Sequence, residues 1–362
     1  MQRILVTGGA GFIGSSFVRH VLAEDPAVEI FNLDALTYAG SLENLKDLPA
    51  PGRHRFIHGD IRNTALVENL LRKDRVDTIV HFAAETHVDR SILGPAPFIE
   101  TNIEGTFSLL EAARRVWVEE GLFPREAVRF HHVSTDEVYG SLGPGDSPFS
   151  ELSPYMPNSP YAASKAASDH LVRAYANTYG LPTTISNCSN NYGPHQFPEK
   201  LIPLVIHSAM DGQRIPIYGD GQHVRDWLYV EDHCRAIRLV LARGRTGATY
   251  NVGGNAEFPN LEIVKRLCSI LDARLTGSSH VPHESLVTFV PDRPGHDRRY
   301  AMDIGQIHRE LGWEPQETLE SGLLKTVDWY LINSNWIAAI DQNPTFKEWL
   351  MKNYTSRGLE TK

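Results

Sequence analysis

The first half of the chain alternates short apolar runs with longer stretches whose apolar residues recur at helical spacing. "RILVTG", "EIFNLD", "HRFIHGDI", "DTIVHFAA", "VRFHHVST" and "PTTISNCS" read as strands. Between them "FIGSSFVRHVLAE", "ALVENLLRKD", "ETNIEGTFSLLEAARRV" and "SPYAASKAASDHLVRAYANTYG" read as helices, the last stopping at Gly180. Strands alternating with helices predict βαβ units and a parallel sheet with helices on both faces. Right-handed crossovers then give an α/β fold of the Rossmann type, a doubly wound parallel sheet.

After residue 190 the pattern turns irregular. "NNYGPHQFPEKLIP" and "HVPHESLVTFVPDRPGHDRR" are rich in Pro, Asn, Gly and charge. Helices are predicted at about 200–211, 231–243, 260–272 and 317–332. Long polar loops of this kind usually bind something. The expected organisation is a nucleotide-binding domain over 1–190, with segments returning to it from the later chain. A smaller C-terminal α/β lobe over 191–335 would serve mainly the substrate. The tail, 336–362, has aromatics but no legible chemistry.

The length of 362 residues fits this division, being more than one compact core usually holds. A formal net charge of -9 argues against a general nucleic-acid binder. It allows a small anionic substrate if basic groups gather locally. The three cysteines, Cys188, Cys234 and Cys268, form no CxxC, which argues for a reducing compartment and against a disulfide framework. "MQRILVTGG" lacks a signal-peptide pattern, and no apolar run has the length of a membrane span. A cytoplasmic protein with no membrane partner is expected, so "NCS" and "NYT" are chance matches to the glycosylation pattern. Sixteen histidines raise the question of a metal, but no HExxH and no cluster of usable spacing occurs, so no metal is expected.

Candidate chemistry begins where the first strand ends. "TGGAGFIG" places Gly8, Gly11 and Gly14 at a GxxGxxG spacing, between strand and helix. Such glycines permit a tight turn, close approach to a pyrophosphate and close packing of helix on strand. Asp34 ends the second strand, where a carboxylate can accept from an adenosine ribose and would repel a 2'-phosphate. "DALTYAG" offers no Arg for such a phosphate, which favours NAD over NADP. Asp60 and Ile61 follow the third strand, where an adenine could lie. "FAAET" ends the fourth with small residues. Plain turns remain the alternative for each piece alone.

"YAASK" sets Tyr161 and Lys165 four residues apart, hence on one helix face. A free tyrosine has a pKa near ~10, and a neighbouring ammonium would lower it. An ordinary amphipathic helix is the alternative. The fifth strand ends in Thr135, Asp136 and Glu137, two adjacent acids that repel each other. Taken alone these would be a polar turn.

Through "TGGAGFIG", Asp34 and "YAASK" the chain resembles the extended short-chain dehydrogenase/reductases. Through "AAETHVDRS", "STDEVYG", "NNYGPHQFPEKLIP", "YGDGQHVRDWLYVED" and "RPGHDRRYAMD" it resembles, within them, the 4,6-dehydratases of nucleotide-activated hexoses. The motif resemblance, rather than any physical argument, favours a thymidine-linked glucose. The resemblance implies oxidation at C4, loss of water across C5 and C6, and reduction at C6, with NAD retained throughout. It implies Asp136 as the acid at O6, Glu137 as the base at C5, and Thr135 beside Tyr161 at O4. Successive carboxyls suit these roles because repulsion drives their pKa values apart. The implied NAD contacts are Gly8, Gly11, Phe12, Ile13, Gly14, Asp34, Leu36, Thr37, Asp60, Ile61, Ala83, Ala84, Thr101, Ser134, Tyr161, Lys165 and Asn187. Arg225 and Arg293 are the cations best suited to a diphosphate, with Asn190 as a further donor. Glu199, Lys200, Leu201, Pro216, Ile217, Tyr218, Asn260, Asp292 and His296 are implied to line the nucleotide pocket. Thr86 replaces the family's usual Ser with its hydroxyl kept. A homodimer through the helices at about 98–117 and 160–179 is also implied.

The alternatives are a dehydratase of another nucleotide sugar, a nucleotide-sugar 4-epimerase or an NAD-coupled dehydrogenase, and an NAD-binding scaffold without activity. The adjacent Asp136 and Glu137 argue against the epimerase and the dehydrogenase. The downstream route, to rhamnose or another deoxysugar, is left open.

Overall fold

In the computed structural model, which describes residues 2–355 and 357–358, the apolar runs of the first half become parallel strands. These are β1 (Arg3–Thr7), β2 (Glu29–Asp34), β3 (His54–His58), β4 (Thr78–His81), β5 (Arg129–Thr135) and β6 (Thr183–Cys188). Three short strands follow, β7 (Asn190–Tyr192), β8 (Ile215–Tyr218) and β9 (Val224–Tyr229), and then β10 (Thr249–Val252), β11 (Glu257–Pro259) and β12 (Val287–Val290). The main sheet has seven strands in the order β10-β6-β5-β4-β1-β2-β3. It is doubly wound, and the order reverses beside β1, between β2 and β4. That crevice, at the carboxyl ends of the strands, is where such sheets bind ligands.

Alternation along each strand splits the core between two faces. Leu5, Phe31, Ile79 and Phe130 pack on one side with Leu109, Val116, Trp117 and Val172 from the helices. Ile4, Val6, Ile30 and Val80 pack on the other with Phe17, Val21, Cys234 and Ile237. The helix Pro160–Tyr179 is capped by Ser159, whose Oγ accepts from Ala162 N, and it ends at Gly180 in the left-handed region.

A further core gathers the later chain. Ile202, Val205, Ile215, Trp227, Ile263, Leu267, Leu323 and Val327 pack together, and Trp336, Ile340 and Phe346 of the tail join them. The tail forms the helices Ser334–Asp341 and Pro344–Thr355. Trp336 Nε1 donates to Asn44 Oδ1 at 2.8 Å, tying the tail to the segment that follows β2. Residues 356 and 359–362 lie outside the described residues.

Candidate active site

One cleft runs along the carboxyl ends of β1, β2, β4, β5 and β6. Gly8, Gly11, Phe12, Ile13 and Gly14 form one wall, with Asp34, Thr37, Asp60, Ile61, Ala83, Ala84 and Thr101 beside them. Ser134, Thr135, Asp136, Glu137, Tyr161 and Lys165 continue it, and Thr86, Asn190, Glu199 and Lys200 close its far end. The glycine cradle is sterically exact in two places. Gly8 holds φ +73, and a Cβ there would lie 2.6 Å from Ala83 N. A Cβ on Gly14 would lie 2.2 Å from Gly8 O. The turn thus fits a group that needs bare backbone at the helix N-terminus, as a dinucleotide pyrophosphate does.

Asp34 both lines the cleft and braces the turn. Its Oδ2 accepts from Ala10 N and its Oδ1 from Leu36 N, each at 2.8 Å. Burial raises its pKa, and these two bonds oppose the rise. Arg62 also lines the cleft, but its guanidinium is occupied by Asp60 at 2.8 Å and Glu100 at 2.9 Å.

Of the adjacent acids, Asp136 is buried and Glu137 is half-buried in the cleft wall. Thr135 ends β5, and its Oγ1 accepts from Glu137 N at 3.4 Å and donates to Asp136 Oδ1 at 3.3 Å. Asp136 is only 2% exposed. Its Oδ2 has no hydrogen-bond partner among the described residues. The two carboxyls differ electrostatically. Burial, then the charge of Glu137, push Asp136 well above the ordinary carboxylate range. Burial also raises Glu137, but Arg293, Lys200 and Arg225 pull it back. Asp136 is therefore the better proton holder and Glu137 the better carboxylate.

Tyr161 departs from expectation. Burial, then Glu137, push its phenol up rather than down, and the Thr135 hydroxyl opposes this. Lys165 turns instead toward β5, where Nζ donates to Val133 O at 2.9 Å. Burial lowers Lys165 to about 8. Facing the phenol, the half-buried Glu137 outweighs any influence of the ammonium.

The remaining predicted residues fall into two groups. Arg225, Arg293 and Lys200 converge electrostatically on Glu137. Arg225 Nη2 donates to Asp297 O at 3.0 Å and its guanidinium lies 4.4 Å from the Tyr300 ring centre. Arg293 Nη1 lies 3.6 Å from Asp89, which also accepts from Tyr218 OH at 2.8 Å. Asn260 Oδ1 is buried and has no hydrogen-bond partner among the described residues. Leu36, Asn187, Leu201, Pro216, Ile217, Tyr218, Arg225, Asn260, Asp292, Arg293 and His296 do not line the cleft. Ile217 is buried in the second core, and Asn187 Nδ2 donates to Tyr155 OH at 3.0 Å.

Several residues were not singled out from sequence. Tyr38, Glu85, Cys188, Gln196 and Phe197 line the cleft, and burial raises Glu85 to about 7. Arg90 is stacked between Tyr38 at 4.0 Å and Trp349 of the tail at 4.4 Å. His223, Asp292 and His296 also converge, their ligand atoms within 4.8 Å of one another, a set invisible to local spacing. Burial, Arg293 and Arg225 push His296 far down, so these surroundings suit an anion better than a cation.

Against known proteins, residues 5–326 match the family model described as GDP-mannose 4,6 dehydratase. The dTDP-glucose 4,6-dehydratase of Salmonella typhimurium is 51% identical, over 98% of this chain and 100% of that protein. Its counterpart in Xanthomonas campestris pv. campestris is 56% identical, over 94% of this chain and 96% of that one. The crystal structure of a dTDP-glucose 4,6-dehydratase from Streptomyces venezuelae, with NAD and TYD bound, superposes with a TM-score of 0.83. It is 51% identical and covers 92% of this chain and 98% of that chain. With relatives matched almost end to end and a glycine cradle, Tyr161–Lys165 pair and Asp136–Glu137 pair on one cleft, the chain belongs to the 4,6-dehydratase family of extended short-chain dehydrogenase/reductases and groups there with the dTDP-glucose 4,6-dehydratases.

Proposed function

We propose that the chain converts dTDP-glucose to dTDP-4-keto-6-deoxyglucose and water, with NAD held through the whole cycle. Bound NAD would supply the oxidation at C4 and the matching reduction at C6. The pyrophosphate would sit against Gly8, Gly11 and the helix starting at Phe12, and Asp34 would face the adenosine ribose.

The chain's own residues carry the proton transfers. Thr135 and Tyr161 hydrogen-bond the sugar's O4, and Tyr161 would take its proton once the positive nicotinamide of bound NAD offsets Glu137 and favours the phenolate. The C4 ketone acidifies the C5 proton, which Glu137 removes. Asp136, holding its own proton, delivers it to the leaving O6, so that water departs. Lys200, Arg225, Arg293 and Asn190 receive the diphosphate, leaving Glu137 aimed at the hexose. The observation that carries this reading is the adjacent pair of carboxyls with unequal surroundings, Asp136 buried and driven toward its acid form, Glu137 half-buried and drawn back toward its base form by Arg293, Lys200 and Arg225. An epimerase or simple dehydrogenase needs no such pair.

We assign residues 1–190 with β10 to cofactor binding and the later lobe mainly to the nucleotide sugar. A homodimer through the helical segments 96–119 and 160–179 is part of the proposal. It is supported by exposed Ile99, Phe107 and Tyr179 on those segments. No helix of the described residues is long and apolar enough to cross a membrane. The product would enter deoxysugar synthesis, with rhamnose as one end point.

The test is incubation with dTDP-, UDP-, CDP- and GDP-glucose, read by mass spectrometry. Loss of water from dTDP-glucose is expected. Water lost from a different nucleotide sugar instead overturns the base assignment, and a changed configuration at constant mass overturns the elimination.

A further inference from the structure

Tyr161 and Lys165 are followed, after the same interval of four, by Asp169 on the same helix. Residues so spaced share one helix stripe. Asp169 is fully buried. Its Oδ2 accepts from Ser134 Oγ at 2.9 Å and from Tyr155 OH at 2.8 Å. Tyr155 OH is itself approached by Asn187 Nδ2 at 3.0 Å and Arg173 Nη2 at 2.7 Å. Asp169 Oδ1 has no hydrogen bond among the described residues but lies 3.2 Å from His132 Nε2, and that same nitrogen lies 3.5 Å from Lys165 Nζ. A carboxylate, an imidazole and an ammonium thus stand in series behind the cleft wall. His132 Nε2 lies between the Asp169 carboxylate and the Lys165 ammonium, within 3.5 Å of each.

We propose that Asp169 is a positioning residue, which keeps Lys165 charged at the cleft wall. This rests on the dehydratase reading, in which Lys165 serves the Tyr161 end of the site. The groups facing Lys165 are His81 from β4, His132 from β5, Cys188 from β6, and Tyr161 and Asp169 from its own helix. His81 and His132 are held well below their ordinary pKa by burial, so both are neutral. Cys188 is pushed up to about 12, so it is an uncharged thiol. Asp169 is then the carboxylate that offsets the burial of the Lys165 ammonium, and it heads the influences opposing that burial. In return, Lys165 heads those that keep Asp169 ionised against its own burial. An ammonium left buried without its partner sheds its proton more readily.

The test reads Lys165 directly, in purified protein without nucleotide sugar, by NMR titration of carbon-13-labelled lysine. Lys165→Met assigns the signal by deleting it. In Asp169→Asn the titration moves from about 8 to below about 7. Asp169→Glu, which restores the charge, moves it back toward the wild-type value. If Asp169→Asn does not fold, the double variant Ser134→Ala with Tyr155→Phe removes both donors to Oδ2. Asp169 then takes up a proton more readily, and Lys165 must shift the same way. An unchanged Lys165 titration in whichever variant folds overturns the proposal. Failure of the dehydratase reading shows separately, as wild-type protein that releases no water from dTDP-glucose while the lysine titration still responds to Asp169.

Discussion

Replacing Glu137 with Gln removes one charge and keeps the shape. Glu137 sits in the cleft wall with Arg293, Lys200 and Arg225 around it. A glutamine amide can occupy the same space, so binding of the nucleotide sugar and of NAD is expected to persist. The C5 proton loses its acceptor. A positioned general base is worth roughly 10²–10⁴-fold, and at about 1.4 kcal/mol per decade the barrier to water loss rises by about 3–5 kcal/mol. Asp136 changes too. Burial, its larger influence, remains, but the charge of Glu137 is gone, so its pKa falls while staying above the ordinary carboxylate range. Asp136 therefore still carries its proton but holds it less firmly, and the base step becomes limiting. Two readouts separate the halves of the reaction. Absorbance of reduced nicotinamide should build up after mixing with dTDP-glucose, because oxidation at C4 needs Tyr161 and not Glu137. Mass spectrometry should show water loss slowed by the factor above, together with slowed incorporation of solvent deuterium at C5. Water loss at the wild-type rate refutes the base assignment. Loss of the absorbance build-up with normal sugar binding refutes it differently, by moving Glu137 to the oxidation step.

Other outcomes follow from the same geometry. Gly14→Ala drives a methyl into Gly8 O, at 2.2 Å in the present backbone, so the purified protein should lose NAD, measured by release on denaturation. The pH profile of kcat/KM should be a bell. Its alkaline limb should fall as pH rises through about 8, where Lys165 loses its proton. Its acid limb should fall as pH drops through a value above the ordinary 4.5 of a glutamate, because burial raises Glu137, whose ionised form is the active one. Leu267→Ala opens a cavity at a fully buried position of the C-terminal core, so urea unfolding should show a loss of about 2–5 kcal/mol.

The strands of the first half were legible because they are long apolar runs between turn residues, and β1 to β6 fall where those runs lie. The strand order was not legible. It depends on which crossover passes to which side of β1, and no local pattern records that choice. The short strands β7, β9 and β11 were missed because three to six residues of mixed polarity carry no usable alternation. Asp226 of β9 braces the loop before β11, accepting from Gly254 N at 3.1 Å and Ala256 N at 2.8 Å, contacts that no local pattern records. The tail was unreadable for a related reason. Trp336, Phe346 and Trp349 are ordinary aromatics until Asn44, Phe197 and Arg90, far away in sequence, are brought beneath them.

The site divides along the same line. Residues that must touch a ligand sit at strand ends and helix starts, where glycines, acids and a Tyr–Lys pair interrupt apolar runs and attract notice. Residues that hold those groups in place are buried within regular elements and look like structure. Asp169 reads from sequence as one polar position on a long helix, yet the interval of four that links Tyr161 to Lys165 extends to it unchanged. His132 reads as half of a histidine pair inside a strand, and the alternation that sends His131 to Thr184 and Ser186 sends His132 to Lys165 and Asp169. Repeating a known spacing one further step, and asking which face of a strand a titratable residue takes, would have found both. The charge asymmetry between Asp136 and Glu137 could not be found that way. It comes from Arg225, Arg293 and Lys200, which are 63 to 156 residues from Glu137 in the chain and meet it only in the fold.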